Sequence, residues 1–255
     1  MCGAIPHYLS LSFIIEEGLM MKEFWEILVS IKMACEAAGV QVVTGDTKVV
    51  ERGKGDKIFI NTTGIGHLHP QADIAIGRVK VGDKIIVSDN LATHGIAIMS
   101  VREGLEFESD IESDTRPLNE IVKTLLDDFG KNIHLLKDPT RGGVATVLSE
   151  IARDSKLGID IFQKKIPVNE QVYGACEILG LDPLYVANEG IFIAVVDGAV
   201  ADDFVEKLKQ QEHCSHASII GEVVENHPKQ VILTSQIGGK RVVNMLVGEQ
   251  LPRIC

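Results

Sequence analysis

The sequence predicts a mixed α/β fold of the α+β kind, layered and divided into two domains, and three observations predict it. Apolar residues make up 45% of the 255 while aromatics make up 5%, which suits an aliphatic core between helices and sheets rather than a β-sandwich. Runs that alternate with period two give way repeatedly to runs with a 3.6-residue period. Glycine-bearing turns punctuate the switches.

The length allows one large domain or two moderate ones, each with a sizeable core. Net charge is −11, from 25 Lys+Arg against 36 Asp+Glu, and no basic stripe occurs, which argues against nucleic acid as a partner. A phosphate ligand would have to be met by local groups and metal ions rather than by a global positive field. No apolar run approaches the roughly 18 residues that span a bilayer, and MCGAIPHYLSLSFIIEEG lacks the basic region and cleavage site of a signal peptide. The five cysteines (Cys2, Cys35, Cys176, Cys214, Cys255) are odd in number, widely spaced and without a C-x-x-C pair. That pattern predicts reduced thiols in a cytoplasmic protein.

Taken in order, YLSLSFII (8–15) reads as a strand. Residues 22–38 read as a helix whose inner face carries Phe24, Ile27, Leu28, Ile31, Cys35 and Ala38, with Gly39 as its stop. Cys35 is thereby a small core residue. Strands follow at 40–45 and 57–66, linked by the polar DTKVVERGKGD. A turn at Val81-Gly82-Asp83 introduces the buried strand KIIVS, and a domain boundary is expected near residue 77. The periodicity then predicts helices over 92–105 and 116–129, a strand over 133–138, and a helix over 144–157. Next come strand 158–162, helix 169–180, strand 191–196, helix 199–211, strand 217–223 and two last strands around 230–246. The expected domains are therefore 1–76 and 77–246. Residues 247–255 (VGEQLPRIC) show no period and contain Pro252, so they read as a loose tail; nine extended residues reach about 30 Å.

Three stretches could carry chemistry. TGDTKVV (44–50) sets Asp46, Thr47 and Lys48 at a strand's end, where a carboxylate suits Mg²⁺; a polar turn around Gly45-Asp46 fits the same residues. In DPTRGG (138–143), Pro139 fixes a turn and Gly142 and Gly143 open a helix whose N–H groups could meet an anion. Arg141 could clamp a phosphate and Asp138 a metal, while a structural turn with Thr140 as helix cap reads alike. In ANEG (187–190), Glu189 could act as a base at the edge of a buried strand, or the segment could be a plain turn. Histidines give no metal signature: His67 and His69 read as a solvated loop, EHCSH (212–216) as a surface turn, and His94 is unsupported. The chain ends in a thiol, Cys255.

Together, TGDTKVVE, FINTTGIG, DPTRGG, ANEG and the terminal PRIC resemble the HypE family of hydrogenase maturation proteins. That family belongs to the superfamily of aminoimidazole ribonucleotide (AIR) synthase and selenophosphate synthetase, the PurM-like fold. The resemblance implies two PurM-like domains, the first serving ATP binding and dimerisation. It implies an ATP-dependent carbamoyl dehydratase that turns a carboxamide on Cys255 into a thiocyanate, source of the cyanide ligands of [NiFe]-hydrogenase. Sulfur suits the task because a thiolate is a good nucleophile and a thiocyanate can release cyanide to a metal. The implied partners are the carbamoyltransferase HypF, the HypC–HypD iron scaffold and a second copy of the chain. The implied cofactors are ATP and Mg²⁺. Carried over by position, Asp46 and Asp138 would hold the metal; Thr140, Arg141, Gly142 and Gly143 would line the phosphates; Asn61 and Thr62 would lie on the nucleotide strand; Lys48 and Glu189 would assist deprotonation. Two departures accompany it. Family members begin some 80 residues earlier, so an incomplete first domain is expected, and VSDNLATHG (87–95) stands where the family has V-S-G-x-x-G-D-H-G, which removes any catalytic assignment from His94. Competing expectations are a non-catalytic module that presents Cys255 to partners, and another superfamily enzyme such as a selenophosphate synthetase or a small-molecule kinase.

Overall fold

The computed structural model describes residues 1–103 and 111–246; the tail 247–255, with Cys255, lies outside the described residues. The chain divides into two compact units. The smaller holds Ala4–Pro70 and Pro117–Lys123, and the larger holds Met1–Gly3, Gln71–Arg116 and the chain from Thr124.

In the smaller unit, strand β1 (Ala4–Glu16) is central in a three-stranded sheet of order β2-β1-β3. Helix α1 (Met21–Ala38) crosses over to β2 (Gln41–Val50), which lies parallel to β1, and β3 (Ile58–Leu68) returns antiparallel. The six residues of the expected α1 stripe are half-buried, and every other residue of the helix is exposed. The stripe seats on Leu11 and Phe13 of β1, with Phe13 edge-on to Phe24 at 5.5 Å. The helix stops at Gly39 (φ 65°), where the N–H of Val40 closes on the Cys35 carbonyl at 3.0 Å.

Two expectations fail here. The strand ending at residue 45 runs on to Val50, so Asp46, Thr47 and Lys48 are strand residues rather than a linking turn. Pairing with β1 overrides the local turn chemistry: the register slips between Leu9 and Ser10, and Gly45 sits opposite Leu11, where any Cβ would overlap the Leu11 carbonyl oxygen. His67 is likewise in β3, sharing a hydrogen bond with His7 (2.6 Å), and His69 is buried rather than solvated.

The larger unit carries a seven-stranded sheet of order β10-β9-β6-β8-β4-β7-β5. Its strands are β4 (Lys84–Val87), β5 (Ile133–Lys137), β6 (Gly158–Phe162), β7 (Ile193–Val196), β8 (Ser218–Val224), β9 (Val231–Thr234) and β10 (Lys240–Val243). Among the described strands of this sheet, only β6 and β9 pair in parallel. The helices after Gln71 are α2 (Thr93–Glu103), α3 (Asn119–Phe129), α4 (Gly143–Ser155), α5 (Glu170–Leu179) and α6 (Ala201–Lys209), α3 starting three residues later than expected, after Pro117-Leu118. Strand alternation divides the core. Ile85, Val87, Ile193 and Val195 join Val144, Leu148 and Ile151 of α4 and Val172 and Ala175 of α5 in one cluster. Ile86, Ala194 and Val196 point the other way, and Phe129 of α3 meets Phe204 of α6 at 5.1 Å in a second buried layer. Both layers leave the loops at the ends of β4, β5 and β7 to carry the polar residues.

Candidate active site

In the smaller unit, directly paired strand residues share a face. Ser12 pairs with Asp46 on one side and Asn61 on the other, which makes a cross-sheet row Asp46–Ser12–Asn61. The neighbouring row on that face is Lys48–Ile14–Phe59. Thr62 pairs with buried Leu11 and so belongs to the opposite face, the one that receives α1. The structure thus brings Asp46, Lys48 and Asn61 together and separates Thr62 from them. All four are exposed. Asp46 Oδ1 accepts the Thr47 N–H (2.8 Å). Carboxylate, hydroxyl and amide in one row are all hard oxygen donors, the set that Mg²⁺ takes. Ser12 escaped the sequence reading; its signal was a serine alternating with Leu11 and Phe13 in an otherwise apolar strand.

In the larger unit, β5 ends beside Asp138, which is exposed, followed by buried Pro139 and by Thr140, half-buried. Gly142 (φ 69°) and Gly143 (φ 59°) both adopt the left-handed conformation that glycine alone takes without strain. Gly142 is the residue that caps α4, so Thr140 is not its N-cap; the Thr140 carbonyl instead accepts the Gly143 N–H at 3.0 Å. The 13-residue helix that follows directs its positive end at this loop. Gly143 is held close to the chain at 184–186: a Cβ there would lie 2.5 Å from the Leu184 carbonyl oxygen and 2.6 Å from that of Val186.

That same segment continues into Asn188-Glu189-Gly190. Asn188 is fully buried. Its Oδ1 accepts the Ala92 N–H (2.8 Å), and its Nδ2 donates to the carbonyls of Pro139 (3.0 Å) and Val186 (2.9 Å). Glu189 is half-buried and its N–H donates to Asp114 Oδ1 (3.2 Å). A Cβ on Gly190 would overlap the Asp114 carbonyl, so residues 113–116 lie flat on this turn. Ser113 Oγ shares a hydrogen bond with Nδ1 of buried His94 (2.8 Å). The loop bearing Asp138, Thr140 and Arg141 and the turn bearing Glu189 are therefore one cluster. Asn188 had no sequence signal beyond the ANEG motif itself and Asp114 had none, because their roles rest on partners distant in the chain.

Other polar groups are less promising. Asp83, His134 and Asp197 bring potential metal ligands within 4.8 Å of one another. Lys80 Nζ lies 2.6 Å from Asp197, which raises the Lys80 pKa and lowers that of Asp197, and His134 Nδ1 shares a hydrogen bond with Asp83 at 2.8 Å, so these groups already have partners inside the protein. Within the expected surface turn EHCSH, Cys214 is fully buried while Glu212, His213, Ser215 and His216 are exposed. Burial pushes the thiols of Cys176 and Cys214 up to about 11. The four described cysteines are free, and no described helix is long and apolar enough to cross a membrane.

Comparison with known proteins shows what the chain is similar to. The family model "AIR synthase related protein, N-terminal domain" matches residues 1–68, and "AIR synthase related protein, C-terminal domain" matches 80–234. The carbamoyl dehydratase HypE of Azotobacter vinelandii is 46% identical over 255 residues, all of this chain and 74% of that protein. HypE of Escherichia coli K12 is 41% identical over 253 residues, covering 99% and 74%. A crystal structure of HypE in complex with ATP superposes with a TM-score of 0.95 at 44% identity, covering all of this chain and 77% of the other. HypE in a HypE–HypF complex gives 0.92 at 44% identity, covering 96% and 80%. Thiamine monophosphate kinase of Aquifex aeolicus, at a TM-score of 0.68 and 18% identity over 94% of this chain and 76% of its own, shares the fold alone. On these grounds the chain belongs to the HypE family of AIR synthase related proteins, with the mixed α/β PurM-like fold.

Proposed function

We propose that this chain is an ATP-dependent carbamoyl dehydratase that converts a carboxamide on its own Cys255 into a thiocyanate, supplying cyanide for the iron of [NiFe]-hydrogenase. The observation that carries this reading is the 46% identity, along the whole chain, with a carbamoyl dehydratase HypE. The ATP complex of a 44% identical HypE supports ATP as the co-substrate, and the HypE–HypF complex supports HypF as the carbamoyl donor's carrier. The HypC–HypD scaffold then takes the cyanide in the reducing cytoplasm, and the chain works as a homodimer. Residues 1–76 act as the nucleotide and dimer domain, 77–246 as the second domain and 247–255 as the substrate arm.

The chemistry balances as follows. The carboxamide oxygen of Cys255–S–C(=O)–NH₂ attacks the γ-phosphorus and ADP leaves. The two N–H protons depart, the nitrogen electrons complete the C≡N bond, the C–O bond breaks and phosphate is released. Phosphorylation is needed because the oxygen is otherwise a poor leaving group. Glu189 takes a proton from the amide nitrogen, with Lys48 assisting. Thr140, Arg141 and the left-handed Gly142-Gly143 backbone receive the phosphates at the positive end of α4, while Asn61 and Thr62 line the nucleotide strand from their opposite faces. Asp46 in the smaller unit and Asp138 in the larger are each exposed carboxylates, hard-oxygen donors of the kind Mg²⁺ takes. When bound, the ion would offset the negative charge of the phosphates.

The test uses mass spectrometry of the C-terminal peptide. Protein carbamoylated by HypF and given Mg-ATP is expected to lose the mass of one water from the modified peptide. Full partner-dependent carbamoylation of a Cys255→Ala variant would overturn the reading.

A further inference from the structure

We propose that Asn188 is a positioning residue for this reaction: it fixes the Glu189 turn against the loop that carries Asp138, Thr140 and Arg141. Three features carry the inference. Asn188 has no solvent exposure, yet its side chain is polar, so its hydrogen bonds must be made inside the protein. All three are made, and they go to three separate segments: Ala92 just before α2, Pro139 in the loop after β5, and Val186 in its own segment. The Pro139 carbonyl also accepts the Asn188 backbone N–H at 3.2 Å, so that carbonyl is gripped twice by one residue.

What is gripped is the joint between two groups of proposed function. Pro139 stands between Asp138 and Thr140, and Asn188 stands next to Glu189. The phosphate loop also has supports of its own, from the Gly143 N–H to the Thr140 carbonyl and from the close seat of Gly143 on residues 184–186. Loss of the Asn188 side chain therefore leaves the phosphate loop able to form while freeing its position relative to Glu189. Ala92, a non-glycine residue at φ 70°, is held in its strained conformation through the same side chain, which links the start of α2 to the joint. Aspartate is the sharpest substitution. It keeps the shape and the acceptor for Ala92, but its carboxylate faces the Pro139 and Val186 carbonyls without the two donor hydrogens.

The proposal rests on the dehydratase reading for its catalytic consequence but not for its structural one, and two measurements separate them. Amide hydrogen exchange on the full chain, wild type against Asn188→Asp and the smaller Asn188→Ser, is expected to show residues 140–143 exchanging at least about tenfold faster in both variants and 92–95 in Asn188→Ser, with α6 unchanged. Unchanged protection of residues 140–143 in both variants would overturn the link whatever the reaction proves to be. In single-turnover dehydration of the carbamoylated protein, the maximal rate constant (kcat) counted per ATP-binding molecule is expected to fall about 100-fold, the scale of a roughly 1 Å misplacement, while the Mg-ATP concentration for half-maximal rate stays within about threefold. A residue that only stabilises the fold would lower the fraction of binding-competent protein and leave kcat per binding molecule at the wild-type value, and that result would overturn the positioning role. If wild type shows no Mg-ATP-dependent dehydration, the dehydratase reading falls, and the exchange measurement still decides the link.

Discussion

Replacing Gly143 by alanine perturbs a close backbone contact in the larger unit's loop cluster. The residue has φ 59°, where an L side chain costs about 1–2 kcal/mol. The added Cβ would lie 2.5 Å from the Leu184 carbonyl oxygen, 2.6 Å from that of Val186 and 2.9 Å from the Tyr185 carbonyl carbon. These are backbone atoms, unable to swing aside as a side chain would, so a further overpacking cost of about 1–3 kcal/mol follows. The expected destabilisation is about 2–5 kcal/mol, read as a lowered urea midpoint of the transition that reports the larger unit, with the slope unchanged. Gly174 is the internal control. It lies inside α5 with open space around it and no positive φ, so Gly174→Ala should raise stability by about 0.5–1 kcal/mol. The same chemical change is thus expected to act with opposite signs at two helix positions. If Gly143→Ala cost less than about 1 kcal/mol, the close seat of α4 on residues 184–186 would be wrong.

Two further outcomes follow from the same geometry and chemistry. Glu189→Gln keeps the shape of the turn and its N–H bond to Asp114 but removes the proton acceptor, so kcat for dehydration should fall about 10²–10⁴-fold with ATP binding retained on calorimetric titration; a loss under tenfold would remove Glu189 from the proton-transfer step. Cys214 is buried, and burial raises its folded-state pKa from the ordinary thiol value of 9.0 to about 11. An acid raised on folding contributes stability that is present below its unfolded pKa and lost as pH climbs through the folded value. The urea midpoint of wild type should therefore fall more steeply between pH 9 and 11 than that of Cys214→Ala, and parallel curves would contradict the assignment.

The parts of this molecule that local pattern determines were legible in the residues, and the parts set by distant pairing were not. Helix α1 is the clear positive case: six residues at helical spacing, with Gly39 beyond them, are the half-buried face and the stop. Strand β2 is the negative one. Gly45-Asp46 carries turn chemistry in isolation, but its neighbours across the sheet are Leu11 and Ser12, more than thirty residues earlier, and their ladder keeps the chain extended. That single change alters the site, because it turns Asp46 and Lys48 from tips of a loop into side chains on a rigid face shared with Asn61, and sends the adjacent Thr62 to the other side. Motif reading groups residues by adjacency in the chain, whereas strand alternation separates immediate neighbours and joins residues two apart. The ANEG motif shows the converse. Its acidic residue drew the chemical assignment, yet the buried asparagine beside it ties residues 49 and 96 positions away into one cluster. Where a motif pairs a reactive side chain with an amide, the amide's bonds decide what the reactive group can reach, and those bonds become visible only once the loops from β4, β5 and β7 are folded together.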